Sequence, residues 1–368
     1  MEKITLTAVG DICLGDSPKC LGFGVKSQLL GGLKSNLFEG VRQKLSGDIV
    51  FGNLECVLSE KGLKSHDFHS EQLRGHPSFA PLLRQAGFDV LNIANNHIMQ
   101  HGEPAFVETI KLLGLNGIEL VGQPGKGSFS QSLILEKKGQ VIGFLGYSFE
   151  RDKYVHSDRI FYANTSNKKD ILADIHRIKN SVDWLVLSLH WGVEFMDYPS
   201  PVMIDMAKEF VDAGVDVILG HHPHVVQPVV RYKNSIICYS LGNFVFDMVW
   251  NDEYQLGVIV KIFLQIGCAP ETQIIPVKLN NLYSPTLSTE KQQEVFHLKM
   301  SRAKKKIDQL NSIDIENSNM LYYNDCLKKR KSDMWSSNLF FLKTLCFKTP
   351  LRLIPGKLRY FISKFYPA

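Results

Sequence analysis

Six apolar runs in this chain end the same way, each stopping at Asp, Asn, Glu or His and often beside a glycine. Residues 4–9 lead into Gly10-Asp11, and residues 48–51 into Gly52-Asn53-Leu54-Glu55. Residues 89–94 lead into Asn95-Asn96-His97, residues 184–189 into His190-Trp191-Gly192-Val193-Glu194, and residues 236–239 into Ser240-Leu241-Gly242-Asn243. The densest case is ILGHHPHVVQ at 218–227, with three histidines within four residues, two of them flanking Pro223. Runs with so little polar alternation suit parallel strands covered on both faces. Polar residues at their ends then lie on the carboxyl edge of a sheet, where open α/β folds hold ligands. Asn, Asp and Gly are also ordinary turn residues, so any single run can be read as a strand-end turn. Six together, all bearing side chains able to bind metal, point to one shared site, and neutral imidazole is the commonest transition-metal ligand.

Strands alternate with helical stretches from residue 1 to about residue 265, which is the α/β pattern. The spacing predicts helices over 37–45, 79–85, 103–113, 168–180 and 201–212, with Pro201 in a first turn and Gly87, Gly117 and Gly214 as C-terminal caps. Residues 56–78 and 149–167 read as longer loops able to shape a pocket, and 271–282 as a last strand. Beyond about residue 285 the character changes, which divides the chain into a domain at 1–282 and a helical, basic and aromatic extension at 283–368. From Lys328 onward ten Lys or Arg stand against Asp333 alone, a local charge of +9 that leaves −4 on residues 1–327. A nucleic-acid binder would carry its positive charge across a folded face, so no nucleic-acid partner is expected. The seven cysteines are scattered without a CxxC pair, the chain begins in its first strand, and no apolar run has spanning length. These features predict a cytoplasmic protein, peripheral at the inner face of the membrane if the tail binds there.

The motifs GDICLG (10–15), NLE (53–55), ANNH (94–97), HWGVEF (190–195), GHHPHVVQP (220–228) and SLGNFVFD (240–247) carry a resemblance to a known family. In their order and content the chain resembles the CapA family of capsule and poly-γ-glutamate biosynthesis proteins, a branch related to the calcineurin-like metallophosphatases. The resemblance implies a four-layer α/β/β/α sandwich with a divalent-metal centre among the loops at the strand ends. It implies two ions, drawn from Mn, Fe, Zn or Mg. Asp11 and His224 would hold the first, Glu55 would bridge, and Asn96, His190 and His222 would hold the second. His97 would be the catalytic proton donor or transition-state stabiliser. Asn53 and Glu194 would orient ligands, Asn243 would orient a ligand or close a turn, and His221 is the weakest ligand of its cluster.

Three positions depart from the family pattern. Cys13 stands where the metallophosphatases carry histidine, and reads as a buried neutral thiol or a thiolate ligand. Asp16 stands where family members often have arginine, which removes a phosphate anchor that Arg74, Arg151 or Arg159 would have to replace. Gln100 stands where an aspartate often follows the ANNH histidine. His66, His69, His76 and His101 also invite a metal assignment, but His69 and His76 lack a strand-end context and read as exposed loop residues, and His101 reads as a pocket residue or a helix start. The function expected is a metal-dependent phosphoesterase-type hydrolase acting on an anionic or phosphorylated precursor of a cell-surface polymer. The alternatives are a non-catalytic accessory or polymer-binding subunit, and amide hydrolysis on polyglutamate. The tail suits a membrane interface, packing on the domain or a dimer contact.

Overall fold

The computed structural model describes residues 2–32, 37–64, 67–125, 130–150, 162–165 and 167–363. The strands are β1 (Ile4–Ile12), β2 (Ile49–Leu54), β3 (Val57–Leu58), β4 (Arg74–Gly75), β5 (Val90–Asn92), β6 (Glu119–Val121), β7 (Leu133–Lys137), β8 (Gln140–Ser148), β9 (Trp184–His190), β10 (Val217–His221), β11 (Val229–Tyr232), β12 (Ser235–Cys238), β13 (Asn243–Val245), β14 (Leu256–Leu264), β15 (Glu271–Leu279) and β16 (Pro285–Leu287). The helices are α1 (Val25–Leu30), α2 (Phe68–Glu71), α3 (Ala80–Ala86), α4 (Gly102–Leu115), α5 (Lys168–Ile178), α6 (Pro201–Asp212), α7 (Glu290–Asn311), α8 (Ile315–Phe347) and α9 (Ile354–Ser363).

One sheet runs β16-β15-β14-β1-β2-β5-β6, with β13 beside the end of β1, and the other runs β11-β12-β10-β9-β8-β7. The central pairs β1–β2, β2–β5, β8–β9 and β9–β10 are parallel, and antiparallel strands such as β14, β7 and β11 extend the sheets outward. Leu6, Ala8, Phe51, Phe144, Val186, Leu219 and Val260 fill the space between the sheets. Leu29, Leu83 and Leu113 bring α1, α3 and α4 onto the outer face of the first sheet, while Ile175, Ile204 and Phe210 bring α5 and α6 onto that of the second. The architecture is the expected four-layer α/β/β/α sandwich. Strands with apolar residues on both sides require it, because each sheet must be covered twice.

Several local expectations change. The run 37–45 holds only a short 3-10 turn at Glu39–Val41, since Gly40 lies so close to the chain at Pro285 that a Cβ would fall 2.8 Å from its carbonyl oxygen. The last predicted strand stops at Leu279, because Asn280 Oδ1 accepts from the backbone of Leu282 and Ser284 and turns the chain into β16, beyond residue 282. Within 56–78 the chain forms the β3–β4 ladder and α2 rather than a plain loop. Of the predicted loop at 149–167, residues 151–161 and 166, and with them Arg151 and Arg159, lie outside the described residues, as does His66.

The extension packs on the domain. Ala303, Ile307 and Leu310 of α7 and Tyr322 of α8 join the core outside the second sheet. Tyr198 donates to Asp325 at 2.7 Å, and Tyr254 and Trp250 both donate to Asp333, at 2.7 and 2.9 Å. Leu353 and Tyr360 pack on Leu21 and Phe68, and Lys357, buried, donates to the carbonyl of Lys19. Among the described residues no helix is long and apolar enough to cross a membrane.

Candidate metal centre

The site is assembled where strand ends of the two sheets face each other. Asp11 lies on β1, Asn53 at the end of β2, His190 at the end of β9, and His222 to His224 directly after β10. Close approach is built in at Gly10, where a Cβ would fall 1.8 Å from the carbonyl oxygen of Gly242, and at Gly220, where one would fall 2.0 Å from that of Tyr239. His222 and His224 have φ of 96° and 57°, a left-handed backbone that is uncommon outside glycine. Strain of this kind costs about 1–3 kcal/mol per residue and persists where the surroundings impose it. Here it turns both rings toward one place, with centroids 6.0 Å apart and His222 4.7 Å from His190.

Among the described residues three groups could hold a metal ion: Asp11, Glu55 and His224; Glu55, His190 and His222; and Glu194, His222 and His224, each with ligand atoms within 4.8 Å of one another. Glu55 belongs to two of them. It is fully buried, its Oε1 lies 3.7 Å from both His190 Nε2 and His224 Nε2, and neither oxygen has a hydrogen-bond donor among the described residues. Burial, then the charges of Asp11 and Glu194, push its carboxyl well above the usual range. Burial also pulls His190 well below the normal imidazole value and His222 down to about 4, so both rings are neutral and keep a lone pair for coordination. Asp11 is the exception: burial alone would raise it, but His221, His224 and Asn53 hold its carboxyl below the usual value. A buried carboxylate without donors among neutral imidazoles is the donor set that a divalent cation completes.

The remaining site residues fall around this centre. Asn96 Oδ1 lies 2.9 Å from His190 Nε2. Asn53 donates to Asp11 at 2.8 Å and its Nδ2 is 3.4 Å from His190 Nδ1, so it joins the two sheets' ligands. Asn243 Oδ1 is 3.0 Å from His224 Nδ1, and its amide donates to the carbonyl of Tyr254 at 2.9 Å, which orients the ring. Glu194 is exposed, and its carboxylate stands among the potential ligand atoms rather than behind them. His97 is half-buried with Nε2 4.0 Å from Glu55. His221 stacks on Phe51 with Nδ1 3.4 Å from Asp11 and belongs to none of the three groups.

The departures resolve in physical terms. Gln100 Oε1 lies 2.9 Å from His97 Nδ1, so an amide provides the acceptor where a carboxylate was expected. Asp16 accepts from Gly22, Ser27 N and Ser27 Oγ, a buried hub that ties down the start of α1. Arg74 does not replace the missing phosphate anchor, because its buried guanidinium donates to the carbonyls of Ser70, Ser59 and Lys61. Burial first, and the neighbouring Cys56 second, push the Cys13 thiol well up, and its Sγ faces the carbonyl of Gly15. It is a neutral buried thiol. His69 is exposed, His76 caps a 3-10 turn through Ser78, and His101 donates to the carbonyl of Gln72 at the start of α4.

Sequence reasoning missed Asn92 and Asn95, which donate to Asn53 Oδ1 at 2.8 and 3.3 Å and hold β5 and its loop to β2. The ANNH motif contained the signal for Asn95, but Asn92 inside an apolar strand had none.

A family model described as bacterial capsule synthesis protein PGA_cap matches residues 5–248, which include every residue of this centre. The chain belongs to that family. Among curated relatives of this PGA_cap member, the capsule biosynthesis protein CapA of Bacillus anthracis is 32% identical over 288 residues, 76% of this chain and 68% of its own. The PGA biosynthesis protein CapA of Bacillus subtilis is 30% identical over 245 residues, 64% of this chain and 62% of its own. The chain thus spans about two thirds of the length of these relatives. Among solved structures, a putative 5'-nucleotidase from Staphylococcus aureus in complex with alpha-ketoglutarate aligns with 82% of this chain and 58% of its own, at 15% identity and a TM-score of 0.49.

Proposed function

We propose that this PGA_cap member is a divalent-metal-dependent phosphoesterase-type hydrolase acting in the biosynthesis of a capsule or another cell-surface polymer. The observation that supports it is Glu55, a buried carboxylate without donors that is shared by two ligand groups. Asp11, Glu55 and His224 would hold one ion. Glu55, His190 and His222, with Asn96 beside them, would hold a second, of Mn, Fe, Zn or Mg. Bound ions supply Lewis-acid charge that stabilises a phosphoryl group during in-line displacement.

The chain's own residues then do the following. Asn53 and Asn243 fix the orientation of Asp11 and His224 by hydrogen bonds. With the Gln100 oxygen toward its ring, His97 keeps its proton on Nδ1, and Nε2 faces the centre as the position that exchanges a proton with a reacting oxygen. Family membership and the names of the relatives support an anionic or phosphorylated polymer precursor as substrate.

Elemental analysis of protein purified without chelators, with hydrolysis of phosphate mono- and diesters, tests the reading. The expected result is metal in the native chain, and loss of both metal and hydrolysis in Asp11→Ala, His190→Ala and His222→Ala. Metal-replete protein that turns over no phosphoester would overturn it, in favour of an accessory role or amide hydrolysis on polyglutamate.

A further inference from the structure

We propose that α8 and α9 form a docking surface for an anionic lipid bilayer. From Met334 to the end the sequence has no Asp or Glu, and its exposed cations include Lys343, Lys348 and Arg359. In α8 the residues Ser337, Phe341 and Thr344 are buried against the molecule. Trp335, Leu339 and Leu342 share the same i, i+4, i+7 spacing, two residues earlier, and therefore lie on the opposite side of the helix. They are 77%, 56% and 51% exposed.

A helix packed on a domain by one face normally carries polar residues on the other. This one presents a tryptophan and two leucines there, with exposed Lys328, Lys331 and Lys343 around them. Phe347 and Leu351, at 87% and 85% exposure, carry the apolar surface on toward α9, where Ile362 is also exposed. Apolar side chains directed outward among lysines and arginines match the acyl boundary and the phosphates of an anionic membrane interface.

The charge decides against a second copy of the chain. A two-fold contact would set this surface against itself, and its segment contains no acidic residue to answer its own cations. The surface is fixed rigidly to the rest of the molecule: Leu353 packs on Leu21 and Phe68, Lys357 donates to the carbonyl of Lys19, and Phe340 packs on Trp250. Of these partners, Lys19 and Leu21 lie on the segment that follows β1 and Trp250 on the segment that follows β13, the strands bearing Asp11 and Asn243.

The test is co-sedimentation of the full chain with vesicles of phosphatidylcholine alone and of phosphatidylcholine with phosphatidylglycerol, beside sedimentation velocity without lipid. The chain is expected to pellet only with the anionic vesicles. Lys343→Gln with Lys348→Gln should weaken partitioning about thirtyfold, roughly fivefold for each charge removed. Trp335→Ser, Leu339→Ser and Leu342→Ser combined should abolish binding while the far-UV circular dichroism and melting temperature stay close to native, since all three side chains are exposed. Equal recovery in the supernatant with both vesicle types overturns the proposal. So does lipid-free self-association that the triple substitution abolishes. Neither readout depends on metal or phosphoester turnover, so this proposal and the hydrolase reading fail separately.

Discussion

Asp247 shows how closely buried charge is balanced around the strand ends. Its Oδ2 accepts from Ser17 N at 2.9 Å, its other oxygen has no donor among the described residues, and burial followed by the charge of Asp16 pushes its carboxyl from 3.8 up to about 7. The folded value is therefore above the unfolded one. The group's contribution to stability is fully present below the unfolded value and is lost as pH rises through the folded one, because the unfolded chain ionises first. Asp247→Asn should remove that decline. Urea unfolding between about pH 4 and about pH 8 checks it: the variant should gain on the native chain toward the alkaline end, and parallel curves would count against the assignment. At this scale much was readable from sequence, because coordination chemistry restricts ligands to a few residue types. Arg74 and Asp16 were not, since whether a charged group is free or engaged depends on partners that the local sequence does not contain.

Among the elements, the least expected link is between α8 and the centre. Asp333 accepts from Tyr254 and Trp250, the carbonyl of Tyr254 accepts from Asn243, and Asn243 meets the ring of His224. Phe195 lies between, with centroids 4.5 Å from Tyr254 and 6.2 Å from His224. Asp333→Ala leaves the buried Tyr254 hydroxyl and the half-buried Trp250 indole without their acceptor, which should cost about 2–6 kcal/mol in chemical denaturation at roughly 1–3 kcal/mol for each group. Loosening Asn243 should also weaken metal binding by about tenfold to a hundredfold, measurable by metal titration of the refolded variant. Unchanged affinity would show that α8 supports the fold but not the ligand. The parallel strands and most helices followed from local apolar spacing and capping residues. Helix α8 did not read as one element of 33 residues, because it carries apolar side chains on both its packed and its outward face and so has no single stripe.

For the molecule as a whole, the extension is part of the folded unit. A chain ending at residue 327 would lose Asp333, the Lys329–Glu253 ion pair and buried Phe341, and would cut α8 within its length. It is expected to melt at least several degrees lower than the full chain, or to be recovered insoluble, whereas the triple serine variant at the outward face should melt close to the native value. Equal melting of the truncated and full chains would show the extension to be an appendage. The sequence by itself determined the sheet-and-helix alternation and the chemistry of the strand ends. A strand covered on both faces must be apolar until it reaches the edge, so the change to Asp, Asn, Glu or His is visible locally. Only the tertiary structure decided which ends meet, that Gln100 faces His97, and that α8 reaches Tyr254. Asn53 and His190 are 137 residues apart and touch across two sheets, and contacts of that kind depend on how the layers pack rather than on neighbours along the chain.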